Sequence, residues 1–284
     1  MILVTGSTGH LGRLVLDELR TKVDPSTIVA TARRPEALAD LAAEGVVVRE
    51  LDYHEPDSVR AALTGVTQVL LISGSDIGRR VPQHQTVIDA AIAAGVEHLA
   101  YTSVLQADTS SIPVAPDHLA TEQLLSAAPL TTTNLRHGWY VENYTERLDS
   151  ALTNGAFVGS AGDGRVAAAT RADYASADVA VLIDASLQGA TYELAGPAFT
   201  MSELAAAVST LAGRELPYTD LPPDQYGAAL TSAGLPEPMV QFLVAVDLGI
   251  AKGELDFRSN TLERLIGRRP TNLVEALDTL TWAA

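Results

Sequence analysis

Gly6-Ser7-Thr8-Gly9-His10-Leu11-Gly12 decides how this sequence is read. The stretch succeeds a short buried-strand pattern, Ile2–Thr5. It opens an amphipathic helical face carried by Leu11, Leu14, Val15 and Leu19. In that setting Gly6 allows a tight turn, Gly9 lets backbone approach a pyrophosphate, and Gly12 lets the helix pack closely on the strand. The helix N-terminus then faces the anion. The spacing is G-x-x-G-x-x-G, not the commoner G-x-G-x-x-G. A glycine turn after a strand is weak evidence alone, and its weight comes from the pattern of the chain beyond it.

That pattern is a regular alternation. Thr27–Ala32, Val46–Leu51, Gln68–Ser73, His98–Ser103 and Thr131–Arg136 read as strands. Pro35–Glu44, Asp57–Leu63, Val81–Ala94 and Pro116–Ala128 read as the helices between them. Near-continuous apolar strands separated by helices predict an α/β fold, a Rossmann-type doubly wound parallel sheet covered on both faces. Beyond about residue 137 the rhythm changes. Helical patterns dominate (Tyr174–Ala185, Met201–Ala212, Pro223–Ala233, Pro238–Ala251), with short strand signals at Phe157–Gly159, Thr191–Ala195 and Leu216–Thr219. The expected organisation is a dinucleotide-binding domain over 1–150 and a smaller, mainly helical C-terminal lobe over 151–284, interleaved with the end of the sheet.

The end of the second strand discriminates between dinucleotides. An Asp or Glu there would bond a ribose 2′-hydroxyl. This chain instead reads Ala30-Thr31-Ala32-Arg33-Arg34, and a guanidinium suits a 2′-phosphate. NADPH is therefore the expected cofactor, with Arg33 at the phosphate and Arg34 free to stack on adenine. Asp52 either accepts from the adenine amino group or caps the next turn.

Composition sets the outer limits. Of 284 residues, 47% are hydrophobic and 19% charged, which supports a sizeable core and argues against global disorder. Nineteen basic against 35 acidic residues give a net charge of −16, unfavourable for nucleic acid or an anionic membrane. There is no cysteine, so disulfides, thiolate catalysis and Cys-ligated metals are excluded. The six histidines form no H-x-H or H-E-x-x-H pair, so no metal is expected. No serine sits in a G-x-S-x-G context, which leaves hydrolase chemistry unsupported. No apolar run reaches a membrane span and the N-terminus lacks a basic leader, so a cytoplasmic protein is expected, with a homodimer left open.

Several segments narrow the reading. Leu70–Ser75 closes the fourth strand and Ala100–Ser103 the fifth. Leu135-Arg136-His137-Gly138-Trp139-Tyr140-Val141-Glu142-Asn143-Tyr144 continues from the sixth, and Ala161–Gly164 and Ala169–Tyr174 lie beyond. With the Gly6–Gly12 spacing, these resemble the NmrA-like atypical short-chain dehydrogenases/reductases over nearly the whole chain, and within them the type-2 NAD(P)H:quinone oxidoreductases. The resemblance implies Gly6, Ser7, Thr8, Gly9, His10, Leu11 and Gly12 at the diphosphate and Arg33 at the 2′-phosphate. It places Ser73, Gly74 and Ser75 beside the adenosine and diphosphate, and His137–Glu142 around the nicotinamide end. Thr102, at the close of the fifth strand, joins the cofactor-binding set with His137, Gly138, Trp139 and Tyr140.

Residue chemistry bears on the reaction. Trp139 and Tyr140 can wall a flat pocket, and Asn143 can bond a carbonyl. Typical short-chain dehydrogenases protonate a carbonyl with Tyr-x-x-x-Lys. Here Val114 stands at the Tyr position and His118 at the Lys position. A general acid is commonly worth about 10²–10⁴-fold, so ordinary ketone chemistry is disfavoured. A quinone needs an acid less, because hydride transfer to it is strongly downhill. The expected activity is hydride transfer from NADPH to a quinone or similar flat, electron-poor acceptor by positioning, with Tyr140 and Asn143 at the acceptor and His118 a proton donor, a ribose contact or a residue that starts a helix. The alternative is an NADPH-binding redox sensor without turnover.

Overall fold

The computed structural model describes residues 1–76, 78–145 and 148–279. Its first half alternates as the apolar spacing requires. β1 (Ile2–Val4), α1 (His10–Leu19), β2 (Ile28–Ala32), α2 (Ala39–Ala43), β3 (Val47–Glu50) and α3 (Pro56–Ala62) come first. β4 (Gln68–Leu71), α4 (Arg80–Ala93), β5 (His98–Val104), α5 (Ala115–Ala127) and β6 (Thr131–His137) come next. The expected helix Pro35–Glu44 is a correction: Pro35–Leu38 is a 3₁₀ turn and α2 begins only at Ala39. Leu38, at φ −118° and ψ 22°, breaks the helical run to put its side chain into the core.

The second half adds β7 (Trp139–Tyr140), α6 (Glu142–Thr145), α7 (Leu148–Asn154), β8 (Phe157–Gly159), β9 (Arg165–Ala169) and α8 (Arg171–Ile183). After these stand β10 (Thr191–Leu194), β11 (Ala198–Thr200), α9 (Met201–Ala212), β12 (Tyr218–Asp220), α10 (Pro223–Ser232), α11 (Glu237–Ala251), α12 (Thr261–Ile266) and α13 (Leu273–Asp278).

Seven strands among the described residues form one parallel sheet, ordered β10-β6-β5-β4-β1-β2-β3. Alternate residues feed opposite faces. Leu3, Val29, Val69, Leu71, Leu99 and Tyr101 join the core beneath α3 and α4. Ile2, Val4, Ile28, Ala30, Leu70 and Ala100 join the one packed on α1 and α8. α8 lies against α1, and β10 extends the sheet beyond β6, so the chain after residue 150 returns twice to the layers built by the first half. β7, β9 and β11 form a small second sheet, and β8 pairs with β12. A third core, built on Phe199, Leu204, Val208, Val246 and Ile250, holds α9 and α11 over the end of the main sheet. No helix among the described residues is long and apolar enough to cross a membrane.

Candidate functional site

The strand order reverses between β1 and β4, and the loops after β1, β4, β5 and β6 open on one edge of the sheet. That is where doubly wound sheets place ligands. A cavity of about 640 Å³ occupies this edge. The sheet side supplies Gly6, Gly9, His10, Leu11, Gly12, Ser73, Ser75 and Thr102. Further along, Val114, His118, His137, Gly138, Trp139, Tyr140 and Asn143 line it. α11 closes the far wall with Met239, Phe242, Leu243 and Val246.

The glycine loop has the form a pyrophosphate requires. Gly6 takes φ +60°, and a Cβ on Gly12 would stand 2.3 Å from the Gly6 carbonyl oxygen, so the helix can close on the loop only without a side chain there. Gly9 is the N-cap of α1 and no side chain caps that end. That end of the helix carries the positive pole of its dipole at the cavity edge, where Gly9, His10, Leu11 and Gly12 line it.

Some expected contacts sit elsewhere. The Ser7 side chain is fully buried. Its hydroxyl donates to the Val4 carbonyl at 2.8 Å and accepts from Thr31 N–H at 2.9 Å, locking the loop to β1 and β2. Gly74 is held by protein as well: its N–H donates to His84 Nε2 at 3.1 Å and its carbonyl accepts from Arg80 Nε at 2.7 Å. Thr102 Oγ1 accepts from Ser73 N–H at 2.9 Å. Thr8, Arg33 and Arg34 are exposed and lie outside the cavity lining, the two arginines just beyond the end of β2. Asp52 caps its turn, accepting from His54 N–H at 2.9 Å.

Arg80 and His84 are functional supports that the sequence did not reveal. Burial, and then the Arg80 charge, push the His84 imidazole down to about 3. A neutral ring whose Nε2 accepts from Gly74 must carry its hydrogen on Nδ1, which donates to Thr121 Oγ1 at 2.9 Å. Arg80 also reaches Asp117 at 3.5 Å, so α4 and α5 together hold the Ser73–Ser75 loop. On β6, Arg136 forms a buried two-pronged pair with Glu122 at 2.9 and 2.7 Å and reaches Glu193 at 2.7 Å. Ser103 Oγ donates to the same Glu122 at 2.6 Å. These bonds tie β5, α5, β6 and β10 together beneath the cavity.

Val114 lines the cavity. His118 lines it too, but its ring is buried with Nδ1 2.8 Å from the Tyr101 hydroxyl. Burial, and then the charge of Arg80, hold this imidazole well below its ordinary pKa, so it is neutral at physiological pH. On the opposite side His137 stacks on Tyr174, with ring centroids 4.5 Å apart. Its Nε2 bonds Asp178 Oδ1 at 2.8 Å and its Nδ1 lies 3.3 Å from the Tyr140 hydroxyl. Arg171 lies over the Tyr140 ring at 5.0 Å. Burial raises the Tyr140 phenol, which stays protonated.

Known proteins resemble this chain in sequence and fold. The model of the NmrA-like family matches residues 1–276. The chain is 45% identical to quinone oxidoreductase 2 of Escherichia coli (strain K12) over 281 residues, 99% of this chain and 98% of that one. A crystal structure of the NADPH-dependent quinone oxidoreductase from Escherichia coli, complexed with NADPH, superimposes with a TM-score of 0.95. It covers 98% of this chain and 99% of that one. The Citrobacter sp. triphenylmethane reductase complexed with NADP(H) superimposes with a TM-score of 0.94 at 36% identity, covering 99% and 100% of the two chains.

Proposed function

This chain belongs to the NmrA-like family, and we propose that it is an NADPH-dependent oxidoreductase passing hydride to a quinone or a similarly flat, electron-poor acceptor. The observation that carries the acceptor half is the cavity. Beyond the glycine loop it continues past Trp139 and Tyr140 to an apolar wall of Phe242, Leu243 and Val246 on α11. A ligand-sized recess with an apolar wall of this kind suits a planar apolar substrate. A sensor that turns nothing over has no need of such a recess, so the turnover reading is preferred. The Escherichia coli and Citrobacter relatives act on a quinone and a triphenylmethane dye respectively.

NADPH, when bound, supplies the hydride and leaves as NADP⁺. The chain's own residues bind, orient and exclude water. The N–H groups at the start of α1 hold the pyrophosphate and Arg33 the 2′-phosphate, with Arg34 beside it. Trp139 and α11 keep the acceptor dry and flat against the nicotinamide face. The Asn143 amide donates toward the acceptor oxygens, where charge accumulates as the ring is reduced, and Tyr140, whose O–H is turned to His137 Nδ1, walls the acceptor beside it. Orientation of this kind supplies several kcal/mol when the geometry is held. The hydroquinone then completes its protonation from water, so Val114 costs the reaction little. NADPH oxidation measured against a panel of quinones, with triphenylmethane dyes and simple ketones as controls, tests the reading. Quinones turned over and ketones not is the expected pattern; no oxidation with any quinone would overturn it.

A further inference from the structure

A second cavity of about 540 Å³ adjoins the first. It lies between α7, β8, α9 and α10, with Phe157, Met201, Leu204, Tyr226, Leu230 and Leu235 among its walls. Asn143, Tyr144 and Asp247 line both cavities, so polar side chains stand where the two meet. The first cavity is where a quinone ring would lie. The second is of ligand size and mostly aliphatic or aromatic, so burying a polar group there would cost free energy with little return. The rims match. Among the described residues five large hydrophobics are exposed, and two of them edge these cavities: Val158, 41% exposed, at the second and Met239, 42% exposed, at the first.

We propose that the second cavity is a tail subsite, which takes the apolar isoprenoid or alkyl chain of a quinone whose ring lies in the first. The polar junction marks the passage from ring oxygens to hydrocarbon. The proposal rests on the quinone-reductase reading and narrows it to quinones carrying an apolar chain. Water-insoluble substrates of that kind also account for apolar side chains left at the two mouths.

The test uses three soluble quinones with one ring, 2,3-dimethoxy-5-methyl-1,4-benzoquinone, bearing no tail, one isoprene unit or two. NADPH oxidation is measured with the wild type and with Ala229→Trp and Ala233→Trp. Both alanines are exposed and line only the second cavity. Urea unfolding verifies that each variant folds. In the wild type kcat/KM should rise at least about tenfold from no tail to two units, the scale on which apolar pockets discriminate added carbons. Either tryptophan should remove that gain while the tailless ring keeps its kcat/KM within about twofold. Equal kcat/KM across the series in the wild type, or an equal loss for all three quinones in the variants, would overturn the proposal. Failure of the wild type to reduce even the tailless ring would end the reductase reading itself, and the subsite with it.

Discussion

His137 Nε2 and Asp178 Oδ1 lie 2.8 Å apart, both buried, although 41 residues separate them in the chain. With Asp178 accepting, Nε2 carries the ring hydrogen, and in the neutral imidazole Nδ1 accepts from the Tyr140 hydroxyl 3.3 Å away. An inward-facing carboxylate on α8 thereby sets the orientation of a phenol at the cavity wall. Burial raises the Asp178 carboxyl, and His137 opposes that effect.

Asp178→Ala should therefore cost about 1–3 kcal/mol of stability, because it leaves the His137 N–H buried without an acceptor. Asp178→Asn keeps an acceptor oxygen and should cost markedly less. In both, Tyr140 loses part of its fixed orientation, so KM for the acceptor should rise more than KM for NADPH. Urea unfolding and steady-state kinetics measure these, and a stability loss below about 1 kcal/mol in the alanine variant would show that the pair is not holding the ring.

Arg33 is exposed just beyond β2, and the stretch Ala30–Arg34 carries no carboxylate. A charge-assisted contact is worth about 1.5–3 kcal/mol, so Arg33→Ala should weaken NADPH about ten- to hundredfold and leave NADH nearly unchanged. Titration of both cofactors decides it; equal weakening removes Arg33 from the 2′-phosphate site.

His118 has the residue type of a proton donor but not the environment. Its imidazole is held neutral by burial and sits against Tyr101. His118→Ala should slow quinone reduction by less than about tenfold, and the wild-type pH–rate profile should lack a limb near pH ~6.5. A loss of about a thousandfold with NADPH binding intact would identify His118 as the general acid.

Stability should weaken in mild acid. Burial holds His84 down to about 3 and His98 to about 4, and keeps His118 well below its ordinary value. The unfolded chain takes up protons at these positions below about pH 6.5, whereas the native state does not. Their contribution is thus complete above about pH 6.5 and is lost as pH falls towards about 4. Each histidine costs up to about 1.4 kcal/mol per pH unit. Urea midpoints at pH 7.5, 6.5, 5.5 and 4.5 should be level over the first interval and fall after it. A level series down to pH 4.5 would mean that these rings are protonated in the native state.

The alternation of β1 through β6 with their helices, and the loop between β1 and α1, were legible in the sequence. Each depends on residues within a few positions of one another, and on apolar runs that tolerate water on neither face. So was the stretch His137–Asn143, because a strand's carboxyl end in such a sheet faces the ligand edge. Packing between distant segments decided the rest. Asp178 looks like one more polar residue in a helical pattern until α8 is laid against β6 and its carboxylate meets His137. Arg80 and His84 become supports of the Ser73–Ser75 loop only because α4 starts beneath it. Ser7 has the position of a phosphate contact, yet its hydroxyl turns inward because two strands leave a carbonyl and an N–H for it to satisfy. The apolar wall of α11 and the cavity behind it arise where the C-terminal lobe closes over the sheet. No local spacing encodes that closure, since it is selected by the burial of side chains far apart in the chain, such as Val104 with Val246.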